Sequence, residues 1–131
     1  MVTLTTDALS GLNQAVMTWT TYSGSPNLSV LPLGVWKVYF KCALQSAGET
    51  VDFYFKLYKQ GPAPTFTTVL LGTSTVSGTL TTSQNLYTVT ILIASGTIAN
   101  SDTLSLVLYT NVHTGGTANI VFQVEGDAFV S

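Results

Sequence analysis

Two neighbouring segments alternate between apolar and polar residues so regularly that only an extended chain can use the pattern. Over 35–44, Trp36, Val38, Phe40, Cys42 and Leu44 fall on one side, and Lys37, Tyr39 and Lys41 on the other. Over 51–58, Val51, Phe53, Phe55 and Leu57 oppose Asp52, Tyr54, Lys56 and Tyr58. A period of two places alternate side chains on opposite faces of a strand, so each segment reads as a half-buried strand. Weaker runs of β-branched and aromatic residues follow the same pattern at 13–22, 66–72, 77–82, 86–94, 103–110 and 117–125. Turn-forming residues separate them, at Ser23-Gly24-Ser25-Pro26, Gly61-Pro62-Ala63-Pro64, Asn100-Ser101-Asp102 and Thr114-Gly115-Gly116. No stretch carries a helical period. Eight short strands at this spacing predict an all-β fold, a two-sheet sandwich of Greek-key or jelly-roll type, with an eight-stranded antiparallel jelly-roll sandwich of two four-stranded sheets as the leading expectation. Residues 1–131 read as a single domain, with 1–12 as an N-terminal arm or extra edge strand.

Nested antiparallel pairing in such a sandwich predicts 13–22 beside 117–125, 35–44 beside 103–110, 86–94 beside 50–59, and 66–72 beside 77–82. It also separates the lysines. Lys37 and Lys41 share one strand and Lys56 and Lys59 the next; nested pairing sends these strands to opposite sheets, whereas a simple hairpin would gather all four together. The inward parity predicts a core of Trp36, Val38, Phe40, Phe53, Phe55, Leu57, Leu104, Leu106, Ile120 and Phe122.

Charge narrows the function. Charged residues make up 8% of the chain, against about 25% in soluble domains, and the mean hydropathy is +0.41. Threonine, serine and asparagine replace the charges, which leaves a surface poorly protected against association and suited to being covered by copies or partners. The net charge is −2 and arginine is absent, so nucleic acid is not an expected partner. No apolar run approaches the roughly 18 residues of a membrane span, and the start has no signal-peptide pattern. A single cysteine, Cys42, excludes an internal disulfide.

Catalytic constellations are thin. A serine or cysteine hydrolase needs a base beside its nucleophile, and the only histidine, His113, sits in a turn, where a solvated role is expected. Zinc needs three or four ligands; one histidine and one inward-pointing cysteine do not supply them. The acids Asp7, Glu49, Asp52, Asp102, Glu125 and Asp127 show no spacing that sets two carboxylates across a cleft. Asn100-Ser101-Asp102 and Glu125-Gly126-Asp127 could offer oxygen ligands to calcium, but metal-free turns are the simpler reading. Neither catalytic residues, nor a cofactor, nor a metal are therefore expected. The outward parity carries Tyr39, Tyr54, Tyr58 and Tyr109 among Lys37, Lys41 and Lys56, the kind of residues that form interfaces or sugar platforms, or that stabilise a sheet by cross-strand pairing.

The segment Gly34-Val-Trp-Lys-Val-Tyr-Phe-Lys-Cys-Ala-Leu, a short polar loop, Val51-Asp-Phe-Tyr-Phe-Lys-Leu-Tyr-Lys, and later Asn100-Ser-Asp-Thr-Leu-Ser-Leu-Val-Leu-Tyr together resemble jelly-roll virion proteins of tailed bacteriophages, of the trimeric fibre-head and capsid-decoration type. The resemblance covers about residues 34 to 125. It implies a non-enzymatic virion structural protein: a homotrimeric capsid decoration, head-fibre or tail-fibre-head component, located at the capsid surface or the tail. Its partners would be itself, other virion proteins and a host-surface glycan. The alternative, from the outward tyrosines, is a carbohydrate-binding β-sandwich module of a secreted or cell-surface assembly. Under the pairing above, one sheet presents Val16, Thr18, Thr20, Tyr22, Val121, Tyr54, Tyr58, Thr90 and Leu92, and the other Lys37, Tyr39, Lys41, Ser105, Val107 and Tyr109. The first set is the more apolar, so Val16, Tyr22, Tyr54, Tyr58, Leu92 and Val121 are the expected interface residues.

Overall fold

The computed structural model describes residues 2–21, 34–62, 64–65, 67–93 and 102–124. Eight strands run β1 (Val2–Thr5), β2 (Gln14–Thr20), β3 (Gly34–Leu44), β4 (Val51–Gln60), β5 (Thr68–Thr73), β6 (Asn85–Ile93), β7 (Thr103–Val112) and β8 (Ile120–Val124). They form two four-stranded sheets, ordered β1-β8-β3-β6 and β2-β7-β4-β5. Every pairing is antiparallel, and no helix occurs among the described residues. The all-β expectation of eight strands in two sheets therefore holds. Four of the pairs are nested about the middle of the chain: β1 with β8, β2 with β7, β3 with β6, and β4 with β5.

The nesting is one strand out of step with the expected pairing. The strand β1, only four residues long, takes β8 as partner, so 13–22 lies beside β7 rather than 117–125. In turn 35–44 lies beside β6 and the start of β8 rather than beside 103–110. The 50–59 strand lies between β7 and β5 rather than against 86–94. The lysines do divide: Lys37 and Lys41 belong to one sheet, Lys56 and Lys59 to the other.

The expected strand 77–82 is not one, and the count of eight is completed by β1 instead. From Ser74 to Leu80 the chain follows the edge of β4 with a period of three. The amides of Ser74, Ser77 and Leu80 donate to the carbonyls of Phe55, Phe53 and Val51 at 2.8, 2.8 and 2.9 Å. In return the Phe55 and Phe53 amides donate to the hydroxyls of Ser74 and Ser77 at 2.8 and 3.0 Å. Three residues here match two of β4, so the segment is too compact to present its own carbonyls, and the serine side chains take their place. Ser74 also bridges to Ile91, and the Thr75 amide donates to the Thr90 carbonyl at 2.9 Å. The segment thus ties β4 of one sheet to the edge of β6 in the other. Gly72 lies where β5 passes β6, and a Cβ there would stand 2.7 Å from Ile91 Cγ2 and 3.1 Å from the Leu92 carbonyl oxygen.

The core fills the space between the sheets. Phe53, Phe55 and Phe122 are buried to within 1% of full burial, each contributing roughly 1.5–3 kcal/mol relative to exposure. Phe40 lies 5.3–5.5 Å from their three rings, measured between centroids. Of the ten expected core residues, Trp36 alone is only half-buried. Trp19 was not among them, yet its ring sits 6.2–6.4 Å from Phe55, Phe40 and Phe122. A bulge between Ala15 and Met17 breaks the period of two in β2, as an inserted residue does, so Val16 and Met17 both pack on the core.

Candidate functional site

The outer face of the β2-β7-β4-β5 sheet gathers the polar aromatics. Register sets Tyr54 opposite Tyr109, Lys56 opposite Val107 and Tyr58 opposite Ser105, and Tyr58 opposite Leu70 across β5. The rings of Tyr54 and Tyr109 stack at 5.2 Å with planes 8° apart. Lys56 Nζ lies 5.1 Å from the Tyr109 ring centroid, a cation–π distance. The Tyr58 and Tyr109 hydroxyls meet at 3.3 Å. That hydrogen bond, and to a smaller extent burial and the neighbouring Tyr58, push the Tyr109 hydroxyl above its ordinary pKa, while Lys56 pulls the other way.

A hydrogen-bonded chain extends this cluster to one end of the sandwich. The Tyr54 hydroxyl donates to Asn13 Oδ1 at 2.8 Å, and the Asn13 amide donates to Asn111 Oδ1 at 2.9 Å. Asn111 Nδ2 donates to Asp52 Oδ1 at 2.8 Å. Asp52 Oδ2 in turn contacts His113 Nε2 at 2.9 Å. Asn13 has φ 58°, a left-handed conformation that asparagine tolerates better than most residues. Beyond His113, Thr114 bonds the Glu49 carboxylate and accepts from the Thr50 amide at 3.2 Å. This clasps the β3–β4 and β7–β8 loops together. His113 is therefore paired with a carboxylate rather than merely solvated.

The expected interface residues do not share a face. Tyr54 and Tyr58 lie on the sheet just described, Leu92 and Val121 on the opposite one, and Val16 is turned to the core by the bulge. Tyr54 is also nearly covered, at 8% exposure. Tyr22 lies outside the described residues, as do Asn100, Ser101 and the 125–127 turn. Asp102 is buried. Tyr39, Lys37 and Lys41 lie on the β1-β8-β3-β6 sheet, apart from Tyr54, Tyr58 and Tyr109.

That opposite face carries four of the most exposed large apolar residues. Val35 stands opposite Leu92, Tyr39 opposite Thr88, and Lys41 opposite Leu86; Val35, Tyr39, Leu86 and Leu92 are 60–67% exposed. Among the described residues no group of three His, Cys, Asp or Glu side chains could hold a metal ion. Burial pushes the Cys42 thiol up to about 12, so it carries no thiolate at neutral pH. No family model matches the chain, and no curated protein or solved structure is significantly similar to it.

Proposed function

We propose that the chain is a non-enzymatic structural subunit of a virus particle, a jelly-roll sandwich that assembles as a homotrimer. The observation that carries this reading is the outer face of the β1-β8-β3-β6 sheet, where Val35, Tyr39, Leu86 and Leu92 stand more than half exposed. Val35 and Leu92 stand side by side, with Tyr39 further along the same face between Lys37 and Lys41, and Leu86 opposite Lys41. Exposed apolar side chains on one face favour association, and a chain with only 8% charged residues has little else to keep copies apart. The nested strand pairing supports the jelly-roll topology, and the likeness of 34–125 to phage jelly-roll subunits supports the particle.

The partner on this face is a second copy. Among the described residues the charges that the strands of this face carry are Lys37 and Lys41, while Asp52 belongs to the other sheet. A two-fold contact of the face with itself would set like charges together; a three-fold ring instead joins two different surfaces, which lets lysines meet carboxylates. Light scattering on the purified chain should give three times the 13.9 kDa chain mass. Leu92→Lys should return it to monomer with unchanged far-ultraviolet circular dichroism, and Val107→Lys, on the opposite face, should not. A monomer at all concentrations that is also absent from particles by immunogold labelling overturns the proposal. Dissociation by Val107→Lys alone would move the contact to the β2-β7-β4-β5 sheet.

A further inference from the structure

On the outer face of the β2-β7-β4-β5 sheet, Tyr58 stands between Ser105 of β7 and Leu70 of β5. Tyr58, Gln60, Thr68, Ser105 and Val107 enclose an open hollow of about 210 Å³. Its lining residues are uncharged. Val107 is its apolar member, and Tyr58 supplies an aromatic ring whose hydroxyl is fixed against that of Tyr109. The Ser105 hydroxyl is held by Thr20 at 3.0 Å. The nearby cation, Lys56, lies over the Tyr109 ring.

The geometry points to a binding site for one neutral saccharide ring in this hollow. A pyranose has an apolar C–H face and a rim of hydroxyls that both donate and accept. Tyrosine offers the matching surface, an aromatic face with a hydrogen-bonding tip. The Gln60 amide and the Ser105 hydroxyl can each donate and accept. An anion would find no lining cation, and a purely apolar ligand would strip water from hydroxyls and an amide without replacing it. The volume falls below the roughly 300–1,000 Å³ of sites that enclose drug-sized ligands, so the site suits a terminal ring of a longer glycan rather than an engulfed molecule. The site does not depend on the trimer, and its lining strands β4, β5 and β7 belong to the sheet opposite the β1-β8-β3-β6 face.

The test is an NMR titration of the full chain with methyl α-D-glucopyranoside, methyl β-D-galactopyranoside and N-acetyl-D-glucosamine. At least one should shift the resonances of Tyr58, Gln60 and Ser105 with a dissociation constant of about 1–10 mM, weak as befits one ring in an open site. Gln60→Ala should weaken that binding at least fivefold, and Thr88→Ala, on the opposite sheet, should leave it unchanged. The proposal is overturned if none of the three sugars shifts these resonances, if the shifts map to the other sheet, or if Gln60→Ala has no effect. Oligomeric mass, measured separately, keeps this outcome distinct from that of the assembly reading.

Discussion

Replacing Ser74 by alanine tests whether side-chain hydroxyls stand in for the missing strand along β4. The hydroxyl accepts from the Phe55 amide at 2.8 Å and donates to the Thr75 carbonyl at 2.7 Å. Ser74 is 7% exposed and Phe55 1%, so water cannot take over as acceptor. An orphaned buried amide costs about 1–3 kcal/mol, a large share of a total stability of roughly 5–15 kcal/mol. Ser77→Ala removes the equivalent acceptor from Phe53 at a half-buried site, and about 1 kcal/mol is expected there. A double-variant loss clearly above the sum would show that the segment detaches as a unit. Urea unfolding followed by circular dichroism gives the energies, and amide exchange at Phe55 and Phe53 locates them. The exposed Thr79→Ala serves as control, within about 0.5 kcal/mol of the parent. If Ser74→Ala costs less than about 0.5 kcal/mol and leaves Phe55 exchange unchanged, the serines are not acting as acceptors and the argument fails.

Gly72→Ala should destabilise by about 1–3 kcal/mol through overpacking against Ile91, whereas Gly78→Ala, whose Cβ would meet nothing within 4 Å, should be close to neutral in a thermal melt; equal effects would refute the close approach. Tyr109 has its pKa raised above the ordinary 10.0, so the folded state favours its protonated form. The resulting stabilisation is present below pH 10.0 and is lost as pH rises through the raised value. Tyrosinate absorbance should show a late-titrating group that moves earlier in Tyr58→Phe, and an unchanged titration would remove the hydrogen bond as its cause.

Legibility in the sequence followed the strength of the alternation. β3 and β4 could be read because their inner faces are aromatic and their outer faces charged; they hold five of the nine expected core residues that are buried, and the weaker alternation of β7 and β8 supplies the other four. The period of three over Ser74–Leu80 was hidden because serine, threonine and valine suit a strand as well as they suit this coil. The strand pairing slipped because Val2–Thr5 gives too short a pattern to claim β8, and one unclaimed strand displaces every nested partner after it. The bulge in β2 left no mark at all: Val16 reads as outward in any unbroken alternation. The polar chain from Tyr54 to His113 joins residues as much as 98 positions apart; only register brings them together, and no local spacing announces it.

The serine-lined segment beside β4 also bears on what kind of order copies of this protein can reach. A bare sheet border is a template on which another chain's strand can be added without limit. Along Val51–Phe55 that border is occupied by a coil which bonds inward through side chains, so an incoming strand meets no free ladder there. Growth by strand addition is therefore closed off along that stretch of β4, although it stands next to the edge strand β5.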